Sequence, residues 1–357
     1  MKRSAERLEI VGIDLAKSVF QIHGVDASGK ALVRKKLSRG ELIAFMENLP
    51  KTRVVMEACG GSNYWARRFR EMGHEVKLIA PQFVKPFVKT NKSDKADAEA
   101  IVEAGMRPGM RFVGVKEEWQ QDILSVHRVR ARLMKSRTAL INELRGLLQE
   151  YGIVFSRRAA LLPERVADFL SKDAEGISGV MVQLVQELLT ELMEMESRID
   201  IYDRKIMQVS KDREECKVVK MVSGVGPITA TALVATIGDI NQFRNGRQLS
   251  AYLGLVPRHE GSGGKIRIKG ISKRGDRYVR MLLIHGARVV LRHAQGRSEG
   301  YNRWVKRLAE RRGYNKACVA LANKNARMCF AMLKKYREGK TVLAKPPADR
   351  NLIQEAA

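Results

Sequence analysis

Residues 8–79 constrain the fold most, because short apolar runs alternate there with turn and helix signals. The predicted strands cover residues 8–13, 18–25, 31–37, 52–58 and 75–79. Asp26-Ala27-Ser28-Gly29 separates the second and third strands and predicts a hairpin. Helices are predicted at 41–48, where Ser38 and Glu41 form a capping box, and at 60–72. A hairpin followed by alternating helices and strands indicates a mixed α/β sheet.

Four acidic residues stand at the ends of these elements. Asp14 ends the first strand and Glu57 a later one, while Asp94 and Asp97 open a predicted helix with Ser93 as its N-cap. Taken singly, each is ordinary as a turn former or as a charge that offsets the helix dipole. As a set, strand ends on one sheet edge converge. Converging carboxylates require cations, and Mg²⁺ with oxygen ligands suits them. Two such ions serve phosphodiester exchange in ribonuclease-H-like nucleases.

Two long segments, 117–152 and 177–209, carry leucines and valines at helical spacing without an internal proline. They predict a helical hairpin or coiled coil, joined by a connection over 156–176 that contains proline and charges. Their apolar stripes indicate a core or an oligomer interface rather than a ligand site.

Ser223-Gly224-Val225-Gly226-Pro227 precedes a run of Ala, Thr and Leu and predicts a helix–hairpin–helix turn. Gly224 and Gly226 would let backbone N–H groups contact phosphates without reading base sequence. The alternative is a tight connection between two helices with no ligand.

Residues 254–280 contain six glycines, and Ser262 lies between Gly261 and Gly263. A hydroxyl on such a segment suits phosphoryl transfer through serine, although a flexible loop with a solvated basic face has the same pattern. The candidate phosphate-contacting side chains of this segment are those of Arg258, Lys265, Arg267, Lys269, Lys273, Arg274, Arg277 and Arg280.

The formal net charge of +27 is concentrated near the end of the chain. Residues 241–357 hold 27 Lys and Arg against seven Asp and Glu. Such asymmetry favours nucleic acid as the partner, since phosphate neutralisation with counterion release dominates that binding. A membrane surface is the weaker alternative, because no amphipathic helix with an aromatic apolar face stands out.

The sequence has no apolar run of transmembrane length and no apolar segment of signal-peptide length at its start, so a cytoplasmic location is expected. Four scattered cysteines without CxxC spacing argue against a zinc site or a disulfide framework. We expect them to be reduced and partly buried.

Helices are also predicted at 281–291 and 303–335, with a packed, small-residue stretch over 317–332. Trp304 and Tyr314 either stack on bases or pack in the core. Residues 341–357 are predicted to be a disordered tail.

Six blocks of sequence together resemble the insertion-sequence 110 family of transposases, closest to its 1111 subgroup. The N-terminal blocks are GIDLAK from Gly12, MEACGG from Met56 and NKSDKADAEAI from Asn91. The C-terminal blocks are GVGP from Gly224, GLVPRHEGSGGK from Gly254 and GISKRGDRYVR from Gly270. The chain departs in one place, with Gly261 before Ser262 where related sequences often have a polar residue.

The resemblance implies a RuvC-like (ribonuclease H-like) domain over 1–115, a coiled-coil oligomerisation region over 116–215 and a mainly helical transposase domain over 216–340. By family analogy, Asp14, Glu57, Asp94 and Asp97 hold Mg²⁺, and Ser262 forms a covalent phosphoserine link to DNA. The implied partners are donor and target DNA, a structured bridge RNA and further copies of the chain, as a dimer or tetramer. We expect the serine and the carboxylates to meet only when nucleic acid and oligomer assemble.

Two other functions fit the residues less fully. In a RuvC-like structure-selective endonuclease, the carboxylates would activate water and Ser262 would only contact phosphate. A non-enzymatic nucleic-acid binder would use the basic regions alone, and the complete acidic set argues against it.

Overall fold

The computed structural model of the chain describes residues 8–88, 94–156, 158–172, 176–262, 265–294 and 300–340. The chain divides into two compact units. The first comprises Met1–Glu118 and Ile237–Arg244, and the second comprises Trp119–Thr236 and Asn245–Ala357. The division into three domains and a tail stays a prediction, and the tail (341–357) lies outside the described residues.

The first unit is built on a six-stranded sheet in the order β3-β2-β1-β4-β5-β6, which confirms the predicted mixed α/β sheet. Pairs β1–β4 and β4–β5 are parallel, and the other pairs are antiparallel. The two-residue edge strand β6 is too short for a sequence pattern to reveal. The strands are β1 (Ile10–Asp14), β2 (Val19–Val25), β3 (Ala31–Ser38), β4 (Arg53–Glu57), β5 (Glu75–Ile79) and β6 (Phe112–Val113).

The helices of this unit are α1 (Arg39–Glu47), α2 (Ser62–Glu71), α3 (Pro81–Val84) and α4 (Asp94–Met106). The predicted capping box is confirmed, because the Ser38 amide donates to the Glu41 carboxylate at 2.7 Å. Residues 81–90 form a basic segment that the sequence predicts to be irregular. That prediction is wrong in part, since α3 and a 3-10 turn at Lys85–Phe87 occupy the segment. Ser93, the predicted N-cap of α4, lies outside the described residues.

Alternate residues of the central strands face two different cores. Val11 and Ile13 of β1, with Val54 and Met56 of β4, pack in the cluster that includes residues of α1 and α2. Ile10 and Val55 pack in the other cluster, together with Ile101 and Val102 of α4. Every odd residue of β4 and every even residue of β1 therefore faces α4, because strand side chains alternate between faces.

Gly12 lets α4 lie directly on β1. A Cβ atom there would stand 2.8 Å from the carbonyl oxygen of Ala98 and would overlap the side chain of Val102. A second contact of this kind brings Gly105 of α4 against Val55. The distance between helix and sheet is therefore set by two glycines, Gly12 and Gly105, which have no side chain.

The second unit is mainly helical. Its helices are α5 (Glu118–Gln149), α6 (Leu162–Lys172), α7 (Gly179–Asp212), α8 (Glu214–Lys220), α9 (Pro227–Ile237), α10 (Gly246–Tyr252), α11 (Arg277–His293), α12 (Gly300–Arg312) and α13 (Tyr314–Arg337). It also contains an antiparallel hairpin of β7 (Pro257–Ser262) and β8 (Lys265–Ile271). In the part of the chain that the structure describes, no helix is both long and apolar enough to cross a bilayer.

The long helices α5 and α7 form an antiparallel hairpin, as predicted. Arg137 of α5 pairs with Glu196 of α7 at 2.8 Å. Arg130, which is earlier in α5, pairs with Asp203, which is later in α7, so the two helices run in opposite directions. Their shared apolar cluster also includes α6, a helix that was not predicted because Pro163 and the charges around it suggested a connection. Pro163 stands in the first turn of α6, where its missing N–H costs no hydrogen bond.

Helix α13 is the central helix of the C-terminal part and packs against α8, α10, α11 and α12. Its buried face confirms the predicted packed stretch and consists of Ala317, Cys318, Leu321, Ala322, Asn325, Ala326, Cys329, Phe330 and Leu333. The four cysteines are free, with Cys59 half-buried and Cys216, Cys318 and Cys329 buried, as expected.

A buried hydrogen-bond chain ties α5 to α9 and α11 through His127. Thr231 donates its hydroxyl to the Pro227 carbonyl at 2.8 Å, so it accepts from Nε2–H of His127 at 2.9 Å. Nδ1 of His127 then accepts from the Tyr278 hydroxyl at 3.2 Å. Arg130 donates to the Tyr278 hydroxyl, so that hydroxyl donates its own proton to Nδ1 of His127, and the histidine is neutral.

Burial, and secondly the charge of Arg130, lower the pKa of His127 from 6.5 to about 4, while Asp203 acts in the opposite direction. The folded chain therefore holds this histidine neutral over a pH range in which the unfolded chain binds a proton. Stability associated with His127 is complete above pH 6.5 and is lost as the pH falls towards 4.

We expect His127→Gln to reduce the pH dependence of stability. Between pH 7 and pH 5 the wild-type chain should lose about 2 kcal/mol of unfolding free energy through this group, and the variant should lack that component. Urea unfolding of both proteins at the two pH values measures the difference. An identical pH dependence in both would show that His127 is not the group responsible.

We expect Gly12→Ala to lower the free energy of unfolding by about 1–3 kcal/mol, because the added methyl forces α4 away from β1. Gly40→Ala is the matched control, since a Cβ atom at Gly40 meets nothing within 4 Å and alanine favours the helix there. Urea unfolding compares the two. Equal stability of the two variants would contradict the proposed role of Gly12.

Candidate active site and nucleic-acid interface

Asp14 and Glu57 lie side by side where the two central strands β1 and β4 end, and we call this part of the sheet the acidic edge. Parallel strands β1 and β4 are in register at Ile13 and Met56, so the next residues of each strand are neighbours. The alternation of side chains puts both carboxylates on the face that α4 covers. Gln21 pairs with Asp14 from the other side and is itself buried. This part of the predicted acidic set is brought together.

Helix α4 runs antiparallel to β1, which brings its first turn to the same edge. Ala98 lies over Gly12, whereas Met106 at the other end approaches Gly29 in the β2–β3 turn, at the opposite edge of the sheet. Four helical residues span about 6 Å, close to the length of two strand residues. The backbone of Asp94 is therefore level with Asp14.

Asp97 is half-buried one position before Ala98, while the side chain of Asp94 lies outside the described residues. Among the side chains that the structure describes, no group of three or more His, Cys, Asp and Glu is arranged to hold a metal ion. The four-carboxylate set predicted from the sequence therefore stays a prediction.

The pKa of the Cys59 thiol responds to the negative charge of the two carboxylates. Burial first, and then the negative charges of Glu57 and Asp14, raise the pKa of its thiol. Both carboxylates thus act on the same half-buried group two residues after β4. The donors here are carboxylate oxygens close together in a region of negative potential, and this is the chemistry that fits a hard divalent cation such as Mg²⁺.

Ser262 is the last residue of β7 and pairs with Lys265, the first residue of β8. The flexible loop considered for this segment is therefore wrong: two paired strands carry the serine to the tip of a hairpin. Gly263 and Gly264 at the turn lie outside the described residues, as do the side chains of Ser262 and Lys265. The strand register places the backbone of Ser262 opposite that of Lys265.

Apart from Lys265, whose side chain lies outside the described residues, the predicted cations of this segment are exposed with one exception. Lys269 of β8 pairs with Glu260 of β7 across the hairpin, and Arg258, on the same strand as Glu260, pairs with it at 3.1 Å. The exposed members are Arg258, Arg267, Lys269, Lys273, Arg274 and Arg277. A polyanion could contact these side chains without unfolding any part of the hairpin.

Arg280 is the exception, because it is only 8% exposed. Its Nη1 donates to the carbonyls of Leu253, at 3.0 Å, and Arg274, at 2.8 Å. Gly254 and Gly275, both at positive φ, allow the two chain segments to cross at this point. Arg280 therefore holds the base of the hairpin to α11, and it departs from the predicted role of a phosphate contact.

The predicted helix–hairpin–helix turn connects α8 to α9. Gly224 has φ of +87°, and a Cβ atom there would stand 2.8 Å from the carbonyl oxygen of Gly286 in α11. Gly226 is open, with nothing within 4 Å of its Cβ position. Gly224 therefore serves packing, while Gly226 precedes the first turn of α9, where free N–H groups suit a phosphate.

Asn325 of α13 completes this turn and was missed in the sequence. Its Nδ2 donates to the carbonyl of Ser223 at 2.8 Å, and the residue is fully buried. The available signal was an amide inside a stretch of small apolar residues, at a position that the helical period assigns to the core.

Comparison with known proteins gives the family. A model described as "Transposase IS116/IS110/IS902 family" matches residues 216–302, and the "DEDD_Tnp_IS110: Transposase" model matches residues 11–153. The transposase for insertion sequence element IS1111A of Coxiella burnetii is 47% identical over 93% of this chain and 91% of its own length. A probable family 20 transposase of Pseudomonas aeruginosa is 47% identical over 93% of this chain and 99% of its own. The chain therefore belongs to the IS116/IS110/IS902 family of transposases, which are DNA-transferring enzymes.

Proposed function

We propose that this transposase excises and inserts its element by Mg²⁺-dependent strand exchange with Ser262 as the nucleophile. The observation that carries the proposal is the pairing of Asp14 and Glu57 at one sheet edge, on the face covered by the helix that begins at Asp94. The RuvC-like fold belongs to the same proposal, and the strand order and the alternation of faces support it.

In the proposed cleavage step, the Ser262 hydroxyl loses its proton and its oxygen forms a bond to phosphorus. The bond from phosphorus to the leaving deoxyribose oxygen breaks, and that oxygen takes up a proton. Rejoining reverses the step with a DNA hydroxyl as the attacking group, so no external energy source is needed. Mg²⁺ held by Asp14, Glu57, Asp94 and Asp97 would offset charge on the phosphate when bound.

The proposed DNA interface combines the hairpin, the turn before α9 and the exposed cations described above. We expect this interface to bind DNA independently of base sequence, since backbone amides and cationic side chains contact phosphates rather than bases. A relative named "Pilin gene-inverting protein" in Moraxella lacunata is 23% identical over 92% of this chain. Inversion of a gene requires that cut strands be rejoined, which favours recombination over simple cleavage for this chain too.

Two further partners are part of the proposal. A structured bridge RNA follows from the family resemblance, and the strong positive charge supports it. Homo-oligomerisation through the α5–α7 hairpin as a coiled coil follows from the family resemblance and from the apolar stripes of the two helices.

We expect Ser262→Ala to abolish covalent protein–DNA adducts while DNA affinity stays within about two-fold, because only the nucleophile is removed. Ser272→Ala is the matched control: its hydroxyl is buried without a hydrogen-bond partner among the described residues, and its loss should leave adducts intact. Adducts are counted on denaturing gels with labelled donor DNA and the co-purified RNA.

Retention of adducts by Ser262→Ala would remove this serine as the nucleophile. Free 5′-phosphate ends without adducts in the wild-type protein would identify the endonuclease alternative instead. Ribonuclease treatment before the assay tests the guide: recombination should be lost, whereas unchanged recombination would argue against a required RNA.

We expect Glu57→Gln to reduce strand exchange by about 100-fold or more and to weaken Mg²⁺ binding, because one anionic ligand is lost. Glu71→Gln is the matched control, since the partner of Glu71 among the described residues is Arg68 on α2, in an exposed pair. Calorimetric Mg²⁺ titration provides a measurement independent of turnover. Unchanged Mg²⁺ affinity in Glu57→Gln would remove this carboxylate from the proposed metal site.

A further inference from the structure

A groove of about 570 Å³ runs along α12, outside the hairpin and the acidic edge. Its lining residues are Gly300, Arg303, Trp304, Arg307, Leu308 and Arg311. Arg303, Arg307 and Arg311 stand four residues apart, so they share one face of the helix. Their spacing of about 6 Å along the axis is comparable to that between successive phosphates of one nucleic-acid strand.

Trp304 provides an aromatic surface inside this row of arginines. The side chain is 37% exposed, and Nζ of Lys324 from α13 lies 4.3 Å from the ring centroid. Burial, followed by the charge of Arg327, lowers the pKa of Lys324. Trp304 is therefore held against α13 by a cation–π contact while part of its ring lines the groove. Packing in the core, one of the two alternatives for Trp304 and Tyr314, is wrong, because both side chains are exposed.

The charged residues of the two helices that form the groove, α12 and α13, are almost all positive. Helix α12 carries three arginines of the groove together with Lys306 and Arg312, against a single acidic residue, Glu310. Helix α13, which supports the groove, contains no Asp or Glu between Tyr314 and Arg337. Such a surface attracts phosphates and repels cationic partners.

We propose that the α12 groove binds single-stranded DNA, with an unpaired base stacked on Trp304 and successive phosphates contacting Arg303, Arg307 and Arg311. An aromatic platform beside a cationic row is the arrangement that binds single strands independently of sequence, since every base has a π face. A duplex keeps its bases stacked on each other, so it cannot use the tryptophan. The inference rests on the proposed strand exchange only for the origin of the unpaired DNA.

The test uses full-length Ser262→Ala protein without Mg²⁺, so the outcome does not depend on the nucleophile or on the metal. Fluorescence anisotropy measures binding to a labelled single-stranded DNA, its duplex and single-stranded RNA of the same sequence. Trp304→Ala should weaken single-stranded DNA binding by about 5–100-fold, whereas Trp304→Phe, which still stacks, should stay within about three-fold. Duplex affinity should be unchanged by either variant.

The arginine row has a separate signature. Arg307→Gln should lower the salt dependence of single-strand binding by about one phosphate contact, and Arg165→Gln, on the exposed side of α6, is the charge-matched control that should not. Unchanged single-strand affinity in Trp304→Ala overturns the proposal, as does equal weakening for the duplex. Tighter Trp304-dependent binding of the RNA than of the DNA overturns its assignment to DNA.

Discussion

The close approach of α4 to β1 is the contact on which the acidic edge depends. A helix over a strand normally stands off by the length of a side chain, but Gly12 removes that spacer and the Ala98 backbone comes nearly into contact. Asp14 is two residues further along the same strand. The helix therefore brings its first turn to the level of the carboxylates through backbone packing.

A second constraint of the same kind operates in the helical unit. Gly224 and Gly286 meet between the turn before α9 and α11, and Arg280 secures the base of the β7–β8 hairpin through two backbone carbonyls. Both elements proposed to contact DNA are thus fixed to α11. Arg280 is buried and serves this attachment, whereas Arg267, Lys273 and Arg277 are exposed, so charge at the surface and rigidity below it come from different residues.

Patterns with a short period were sufficient to predict much of the fold. The strands around Ile13 and Met56 and the helix after Ser38 follow from alternation and capping, and the antiparallel α5–α7 pair follows from its apolar stripes. Contacts distant in sequence were not predictable. Nothing in the sequence near Arg280 distinguishes it from the exposed cations beside it. The β7–β8 pairing was also not predictable, because both strands contain too many glycines and charged residues to match a strand pattern. The Asp14–Glu57 pairing was predictable because parallel strands share an edge.

The assignment of Ile237–Arg244 to the sheet unit has a consequence for the gene. Gly114 donates its amide to Gln242 at 3.2 Å, although the two residues are 128 positions apart. The polypeptide leaves this unit after Glu118, returns for one short segment and leaves again. No single cut separates the two units into intact pieces, and a single crossover between related genes would divide the sheet unit from its own last segment. Exchange of either unit among such elements is therefore restricted to relatives whose 237–244 segments are interchangeable.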